Sequence, residues 1–142
     1  MDASVVVDAS VWVSWLRPQD TNYIASGKWL DQYIAKQGLL VEPALLLIEV
    51  AASISRRTGQ AIQAKEAVNT LRSITKIQIV PLDSGLVQAA VDVAIDLQLR
   101  AGDSIYAALA QQLRIPLVSW DKEQLQRARG LIVTYTPDSY VF

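Results

Sequence analysis

The chain has 142 residues, of which 51% are hydrophobic, so it is long enough and apolar enough to bury one core, and a disordered chain is excluded. It contains no cysteine and no histidine, which excludes disulfides, thiolate or imidazole metal sites and every catalytic system with a histidine base. Any metal must be held by oxygen, which favours Mg²⁺, Mn²⁺ or Ca²⁺. The net charge of −1 predicts no overall basic surface for nucleic acid, so a local basic rim would have to supply one.

Short apolar segments alternate with amphipathic ones along the chain. The short segments are bounded by polar residues and mostly rich in β-branched residues, which favours buried strands, and the longer ones have apolar residues at helical spacing. In chain order we predict a strand at 5–7, helices at 9–16 and 22–36, a strand at 39–41, helices at 44–57 and 61–74, a strand at 77–80, helices at 85–99 and 104–113, a strand at 116–118, a helix at 122–127 and a strand at 131–134.

This alternation predicts an α/β fold, a mostly parallel five-stranded sheet flanked by helices, in a single domain over residues 1–142. We see no linker, repeat or low-complexity segment. No apolar run approaches the roughly 18 residues that a membrane helix needs, and no basic segment precedes the first apolar run. We therefore expect a cytoplasmic protein that does not bind membranes.

Four carboxylates stand out against this pattern. Asp8 directly follows the first strand and Asp121 the fourth, and groups at the carboxyl ends of parallel strands share one edge of the sheet. Glu49 lies within "ALLLIEVAASI" with no basic residue one turn away, and a buried carboxylate without a partner is costly. Asp103 opens the apolar helix "DSIYAALAQQL".

Ordinary structural roles remain open for each acid. Asp8, Asp103 and Asp121 could each cap the helix that follows, and Asp121 with Gln124 fits a capping box. A tertiary salt bridge would account for Glu49. Capping does not exclude metal binding. Two carboxylates 4 Å apart repel by about 4 kcal/mol at an effective dielectric constant near 20, so four converging acids would need a cation.

Three segments together resemble a PIN domain, and most closely the VapC-type toxins of bacterial toxin–antitoxin pairs. They are "VVVDASVWVSWL", "EPALLLIEVAASISRR" and "LRAGDSIYAALAQQLRIPLVSWDKEQLQRA", which together span nearly the whole chain. The family's four acidic positions are matched in order by Asp8, Glu49, Asp103 and Asp121. Ser10 and Ser119 match the small hydroxyl positions beside the first and last acids.

The resemblance implies a Rossmann-like sheet, an endoribonuclease that depends on Mg²⁺ or Mn²⁺, a homodimer, and a small antitoxin that covers the active site. Asp8 and Asp103 are then the principal metal ligands, with one or two ions bound. Glu49 and Asp121 complete the acidic cup directly or through water. The serines at 10 and 119 either orient ligands and waters or are ordinary turn hydroxyls.

RNA binding beside four carboxylates requires nearby positive charge. Arg56 and Arg57 lie two turns beyond Glu49 on the same predicted helix and are the first candidates for phosphate contacts, although a solvated surface charge is the commoner role for each taken alone. Trp120 precedes Asp121 and could stack on a base.

Other functions remain to be weighed. A phosphate-accepting receiver domain would need an acidic pair after the first strand and a lysine after the last, and the sequence has neither. A PIN-like module that binds RNA or protein without cleaving it, and a housekeeping RNA-processing nuclease, both remain compatible with the acid set.

Overall fold

The computed structural model describes residues 3–142. In this range the chain forms strands and helices in the order β1 (Ser4–Val7), α1 (Ala9–Leu16), α2 (Tyr23–Ala35), β2 (Leu39–Pro43), α3 (Leu45–Thr58), α4 (Ala61–Ser73), β3 (Ile77–Val80), α5 (Ser84–Leu97), α6 (Ala101–Leu113), β4 (Leu117–Val118), α7 (Lys122–Ala128) and β5 (Thr134–Tyr135). The predicted succession of strands and helices is confirmed. None of these helices is long and apolar enough to cross a membrane.

The five strands form one sheet in the order β3-β2-β1-β4-β5, and all neighbouring pairs are parallel. The α/β prediction is therefore confirmed, and the sheet is parallel throughout. The chain builds outward from β1 to β3 on one side and then returns to add β4 and β5 on the other. A parallel sheet binds ligands at such a reversal point, outside the carboxyl ends of its strands.

Strand β1 lies at the centre of the sheet and divides its pairing between two neighbours. Ser4 and Val5 pair with β2, whereas Val6 and Val7 pair with β4. Its three valines are fully buried, as expected for a central strand covered on both faces. The amide of Asp8 still donates to Val118 O, at 2.9 Å, so β4 holds the first residue beyond β1 at the edge of the sheet.

Helix α6 covers the centre of the sheet and contacts β1, β2 and β4. Its buried face includes a run of five residues, Tyr106, Ala107, Ala108, Leu109 and Ala110. The three alanines let the helix backbone approach the strands closely. The first turn of α6 is thereby held near the carboxyl ends of β1 and β4.

Many predicted boundaries differ from the observed ones by one or two residues, and three of the differences affect the site or the sheet. Strand β2 continues to Pro43 and so includes Glu42. Helix α6 begins at Ala101, three residues before the predicted start. Strand β5 lies at Thr134–Tyr135, later than the predicted 131–134. The amides of residues 131 and 132 both donate to the carbonyl of residue 128, so the chain is still turning where the prediction placed the strand.

Candidate functional site

Asp8 is held at the end of β1 by its backbone bond to Val118 and by two hydrogen bonds to its carboxylate. Its side chain is 6% exposed and caps α1, because Oδ2 accepts a hydrogen bond from Ser10 N at 2.9 Å. Oδ1 accepts a second one from Gln124 Nε2 at 3.3 Å. Burial raises the pKa of Asp8, the two hydrogen-bond donors oppose the rise, and the charge of Asp121 adds to it. The capping prediction is confirmed, and capping occupies only one of the two oxygens.

Asp121 stands at the end of β4 and caps α7. Its Oδ1 accepts from Gln124 N at 3.0 Å, and its own amide donates to Ser119 Oγ at 3.0 Å. The hydroxyls of Ser119 and Ser10 are 3.4 Å apart, and Ser10 Oγ also accepts from Trp120 N. Both serines therefore tie the turn after β1 to the turn after β4. Their predicted action on ligands or waters stays a prediction.

Gln124 belongs to this site and was missed as such by the sequence analysis. It is fully buried, and besides Asp8 its Nε2 lies 3.5 Å from the carbonyl oxygen of Asp103. The capping box is only half formed, because the Gln124 side chain turns to Asp8 instead of back to Asp121. Its Oε1 is buried without a hydrogen-bond partner. The sequence pattern contained no sign of this second contact.

Glu49 reaches the site from α3 and has no basic partner. No salt bridge involves it among residues 3–142, so the salt-bridge interpretation is wrong for this part of the chain. Its Oε1 is buried without a hydrogen-bond partner, and Oε2 lies against Gly102, where an added Cβ would be 2.9 Å away. Burial raises the pKa of Glu49, the nearby Tyr106 hydroxyl opposes this, and the charge of Asp8 adds to it.

Asp103 lies inside the first turn of α6, not at its cap, so the capping interpretation of this residue is wrong. Arg100 precedes the helix as its cap residue and makes no side-chain capping bond. Burial raises the pKa of Asp103 to about 6, and the charge of Arg100 lowers it only in part. The rise has a further contribution from the charges of Asp8, Asp121 and Glu49. The structure therefore places the other three predicted acids within electrostatic reach of Asp103.

The donor set fits a divalent cation that keeps part of its water shell. As the side chains stand, no three acidic residues between positions 3 and 142 form a ready-made group around one ion. Mg²⁺ normally retains several waters and uses only one or two carboxylates directly, so a looser acidic cup suits it. The unpartnered Glu49 Oε1 provides a free acceptor for such a water. A cation would also offset the mutual repulsion that raises the pKa of Asp103.

A fifth acid, Glu42, is fully buried next to this site and was also missed. Its Oε1 accepts from Val7 N at 2.6 Å, and its Oε2 accepts from Trp12 Nε1 at 2.8 Å. Burial raises the pKa of Glu42 well above its usual range, and the two donors act against this rise. The sequence signal was available, because an acid interrupts "LLVEP" much as Asp8 interrupts its own apolar run. Pro43 led the prediction to end the strand two residues too early.

Positive charge adjoins the acids along the last turn of α3. Both predicted arginines are exposed. They line an open cleft that begins at Glu49, and its lining residues are Glu49, Ala52, Ser53, Arg56 and Arg57. Arg57 also lies 4.0 Å from a carboxylate oxygen of Asp20, an exposed contact of little energetic weight. The guanidinium groups are therefore free to meet a ligand that enters the cleft.

Trp120 is half-buried between the site and α2. Its Nε1 donates to Ser26 Oγ at 2.7 Å, and Ser26 Oγ is 2.6 Å from Ser14 Oγ. This buried pair of hydroxyls fixes the orientation of the indole ring beside Asp121. The predicted stacking on a base stays a prediction.

The parallel sheet, its order reversal at β1 and the acids at its carboxyl edge define a Rossmann-like α/β domain. The PIN domain family matches residues 5–131, and the chain belongs to this family. The predicted resemblance is confirmed, and the extension of one domain over residues 1–142 stays a prediction. No curated protein matches the sequence.

Solved structures share the fold over nearly their whole length. VapBC2 from Rickettsia felis, bound to a DNA fragment from its promoter, has a TM-score of 0.72 at 12% identity, covering 94% of this chain and 98% of that chain. VapC20 from Mycobacterium tuberculosis, a sarcin-ricin loop cleaving toxin, has a TM-score of 0.72 at 17% identity, covering 90% of this chain and 96% of that chain. FitAcB from Neisseria gonorrhoeae has a TM-score of 0.72 at 18% identity, covering 96% of this chain and 99% of that chain. At these identities the similarity establishes the common fold.

Proposed function

We propose that the chain is a metal-dependent endoribonuclease that hydrolyses RNA phosphodiester bonds. The observation that carries this proposal is the placement of four carboxylates from separate elements at one edge of the sheet. Asp8 and Asp121 follow the paired strands β1 and β4, Gln124 Nε2 lies against both Asp8 and the carbonyl of Asp103, and Glu49 lies against Gly102. The raised pKa of Asp103, about 6, agrees with this placement. Membership of the PIN domain family supports the same reading.

The proposed cofactor is Mg²⁺ or Mn²⁺, held principally by Asp8 and Asp103. When bound, such an ion lowers the pKa of a coordinated water and neutralises charge on the phosphate. Asp8 is suited to bind it because hydrogen bonds from residues 10 and 124 already fix its carboxylate. Glu49 and Asp121 contribute directly or through water. Glu49 Oε1, which is buried and unpartnered, is the atom available to accept a hydrogen bond from the attacking water.

The cleft lined by Arg56 and Arg57 supplies positive charge next to the acids. An empty cup of four carboxylates repels a polyanion, so substrate binding needs positive charge close by. We assign this role to Arg56 and Arg57, because they line the cleft that begins at Glu49. The fixed ring of Trp120 would stack on a base on the other side of the site.

We further propose that the protein acts in the cytoplasm as the toxin of a toxin–antitoxin pair, inhibited by a small antitoxin that covers the site. The support is structural: the VapBC2 and FitAcB chains share the fold over 98% and 99% of their length. VapC20 is described as a toxin that cleaves the sarcin-ricin loop, which supports an RNA substrate here without identifying it.

The proposed homodimer would use the outer face of α5. Val87, Val91 and Ile95 recur every fourth residue and are 43%, 45% and 70% exposed. They form an apolar stripe along the helix. Ile79 and Leu82, from edge strand β3 and the loop after it, are also exposed. A second copy of this chain would bury the stripe against its own counterpart, as two-fold symmetry requires.

An RNA-cleavage assay tests the nuclease. Purified protein is incubated with RNA in Mg²⁺, in Mn²⁺ or in EDTA, and wild type is compared with Asp8→Asn and Asp103→Asn. Asp96→Asn is the matched control, since Asp96 is exposed on α5. We expect cleavage by wild type and the control with either metal, and none by the two site variants or in EDTA. Equal cleavage by all four proteins would contradict the site assignment.

Two further outcomes separate the alternatives. RNA binding without cleavage by wild type would identify a non-nuclease binding module. Growth arrest on expression that is relieved by the product of a small adjacent open reading frame supports the toxin. Cleavage without growth arrest would instead identify a housekeeping nuclease.

A further inference from the structure

Glu42 is the one carboxylate between residues 3 and 142 with no exposed surface, and no lysine or arginine pairs with it. A fully buried position on β2, covered by the edge strand β3, is an expensive place for a charge-bearing group. Both of its oxygens are nevertheless used, each by one N–H donor. These two donors indicate what the residue does.

The first donor is a backbone amide that the sheet leaves unpaired. The amide of Val6 donates to Pro116 O, just before β4, and the amide of Asp8 donates to Val118 O, so the amide of Val7 points to the β2 side. The pairing of β1 with β2 extends only to Val5 and Leu40, so it ends before Val7. Glu42 Oε1 takes the place of a β2 carbonyl and accepts from Val7 N at 2.6 Å.

The second donor belongs to helix α1. Trp12, fully buried one turn into the helix, donates its indole N–H to Glu42 Oε2 at 2.8 Å. One carboxylate thus binds the residue immediately before Asp8 and a residue four positions after it. The turn between β1 and α1, which carries Asp8, is fixed from both sides.

We infer that Glu42 is a positioning residue that sets the direction of the Asp8 carboxylate by holding both Val7 and Trp12. Both of its carboxylate oxygens already accept hydrogen bonds from the protein. The inference deepens the proposed function, since its consequence for ion binding rests on that function. A purely structural role would stabilise the core without this effect on Asp8.

Three variants separate the two roles. Glu42→Gln keeps the shape of the side chain but turns an NH₂ group toward one of the two donors, so one hydrogen bond is lost. Trp12→Phe removes the indole donor and leaves the bond to Val7. Leu71→Ala is the control, because Leu71 is buried in α4 and its truncation destabilises the core away from the acids.

The readouts are Mn²⁺ affinity by electron paramagnetic resonance and amide hydrogen exchange at Val7, both at a temperature where every variant is folded by circular dichroism. We expect E42Q to lose Mn²⁺ affinity by about tenfold or more, as when an outer-shell partner of a ligand is removed. We also expect faster exchange at Val7. W12F should lose less affinity, and L71A should bind Mn²⁺ as wild type does.

Mn²⁺ affinity that is the same in E42Q, W12F and L71A would overturn the inference while leaving the proposed function standing. If E42Q does not fold, the comparison of W12F with L71A decides. A wild type that binds no Mn²⁺ contradicts the proposed function alone. In that case the crystal structure of E42Q decides the inference: a displaced Asp8 carboxylate supports it, and an unmoved one overturns it.

Discussion

Gln124 and Asp8 are 116 positions apart in the sequence, and the side-chain amide of Gln124 donates to Asp8 Oδ1 over 3.3 Å. Helix α7 thereby reaches back to the end of β1. The capping bond between Asp121 and the Gln124 backbone amide places the side chain for this contact. One residue therefore connects the first and the last acid of the candidate site.

Replacement of Gln124 by leucine should lower the rate of RNA cleavage by about tenfold or more, because it removes a hydrogen bond that orients a proposed metal ligand. The capping bond to Asp121 uses the backbone amide and survives the change. The measurement is kcat/KM with Mg²⁺ at saturating ion. Gln126→Leu, at an exposed position of the same helix, is the control and should cleave like wild type. Indistinguishable rates for the two variants would show that Gln124 does not support the site.

The metal-free protein should lose stability as pH rises. The pKa of Asp103 is raised from 3.8 to about 6 in the folded chain, so the protonated acid favours folding. This contribution is complete below about pH 4 and is lost as pH rises toward and through 6. Urea unfolding in EDTA should therefore give a falling free energy of unfolding across this range, with a shallower fall for Asp103→Asn. A stability that rises with pH equally in both proteins would contradict the coupling of the acids.

The element order and two of the acids followed directly from the sequence, because β-branched runs predict strands and a charged residue after such a run marks a strand end. Asp8 and Asp121 were placed in this way. The periodicity of the helices did not predict that Glu49 and Asp103 lie at the same edge of the sheet as Asp8. That prediction came from the family resemblance. Glu42 was missed because Pro43 resembles a strand terminator, although the strand continues through it.

Short strands and tertiary side-chain contacts limit such predictions. Strand β5 has only two residues, and its position depends on pairing with β4 instead of on its own apolar pattern. The preceding apolar residues Leu131 and Ile132 look more like a strand but remain in the turn after α7. Gln124 shows the other limit, because a capping motif does not reveal which distant partner the side chain will choose.

A glycine pair tests the packing around α2. A Cβ at Gly38 would lie 2.4 Å from ring atoms of Tyr33, which is 2% exposed and donates its hydroxyl hydrogen to Leu39 O. Gly38→Ala should therefore lower the free energy of unfolding by about 1–3 kcal/mol, the usual range for overpacking. Gly27, inside α2, has open space at its Cβ, so Gly27→Ala should raise the free energy by about 0.5–1 kcal/mol. Urea denaturation measures both, and equal effects of the same sign would contradict this packing.

The apolar stripe on α5 predicts the oligomeric state. Ile95→Glu places a charge where the proposed partner copy would bury an apolar side chain, and an unpaired buried charge opposes association. Sedimentation velocity should show a dimer for wild type and a monomer for this variant, with the helix content unchanged. Ile24→Glu, at a residue on α2 that is 81% exposed, is the matched control and should remain dimeric. A dimer that survives Ile95→Glu but dissociates with Ile24→Glu would move the interface from α5 to α2. A wild type that sediments as a monomer at all concentrations would remove the dimer from the proposal.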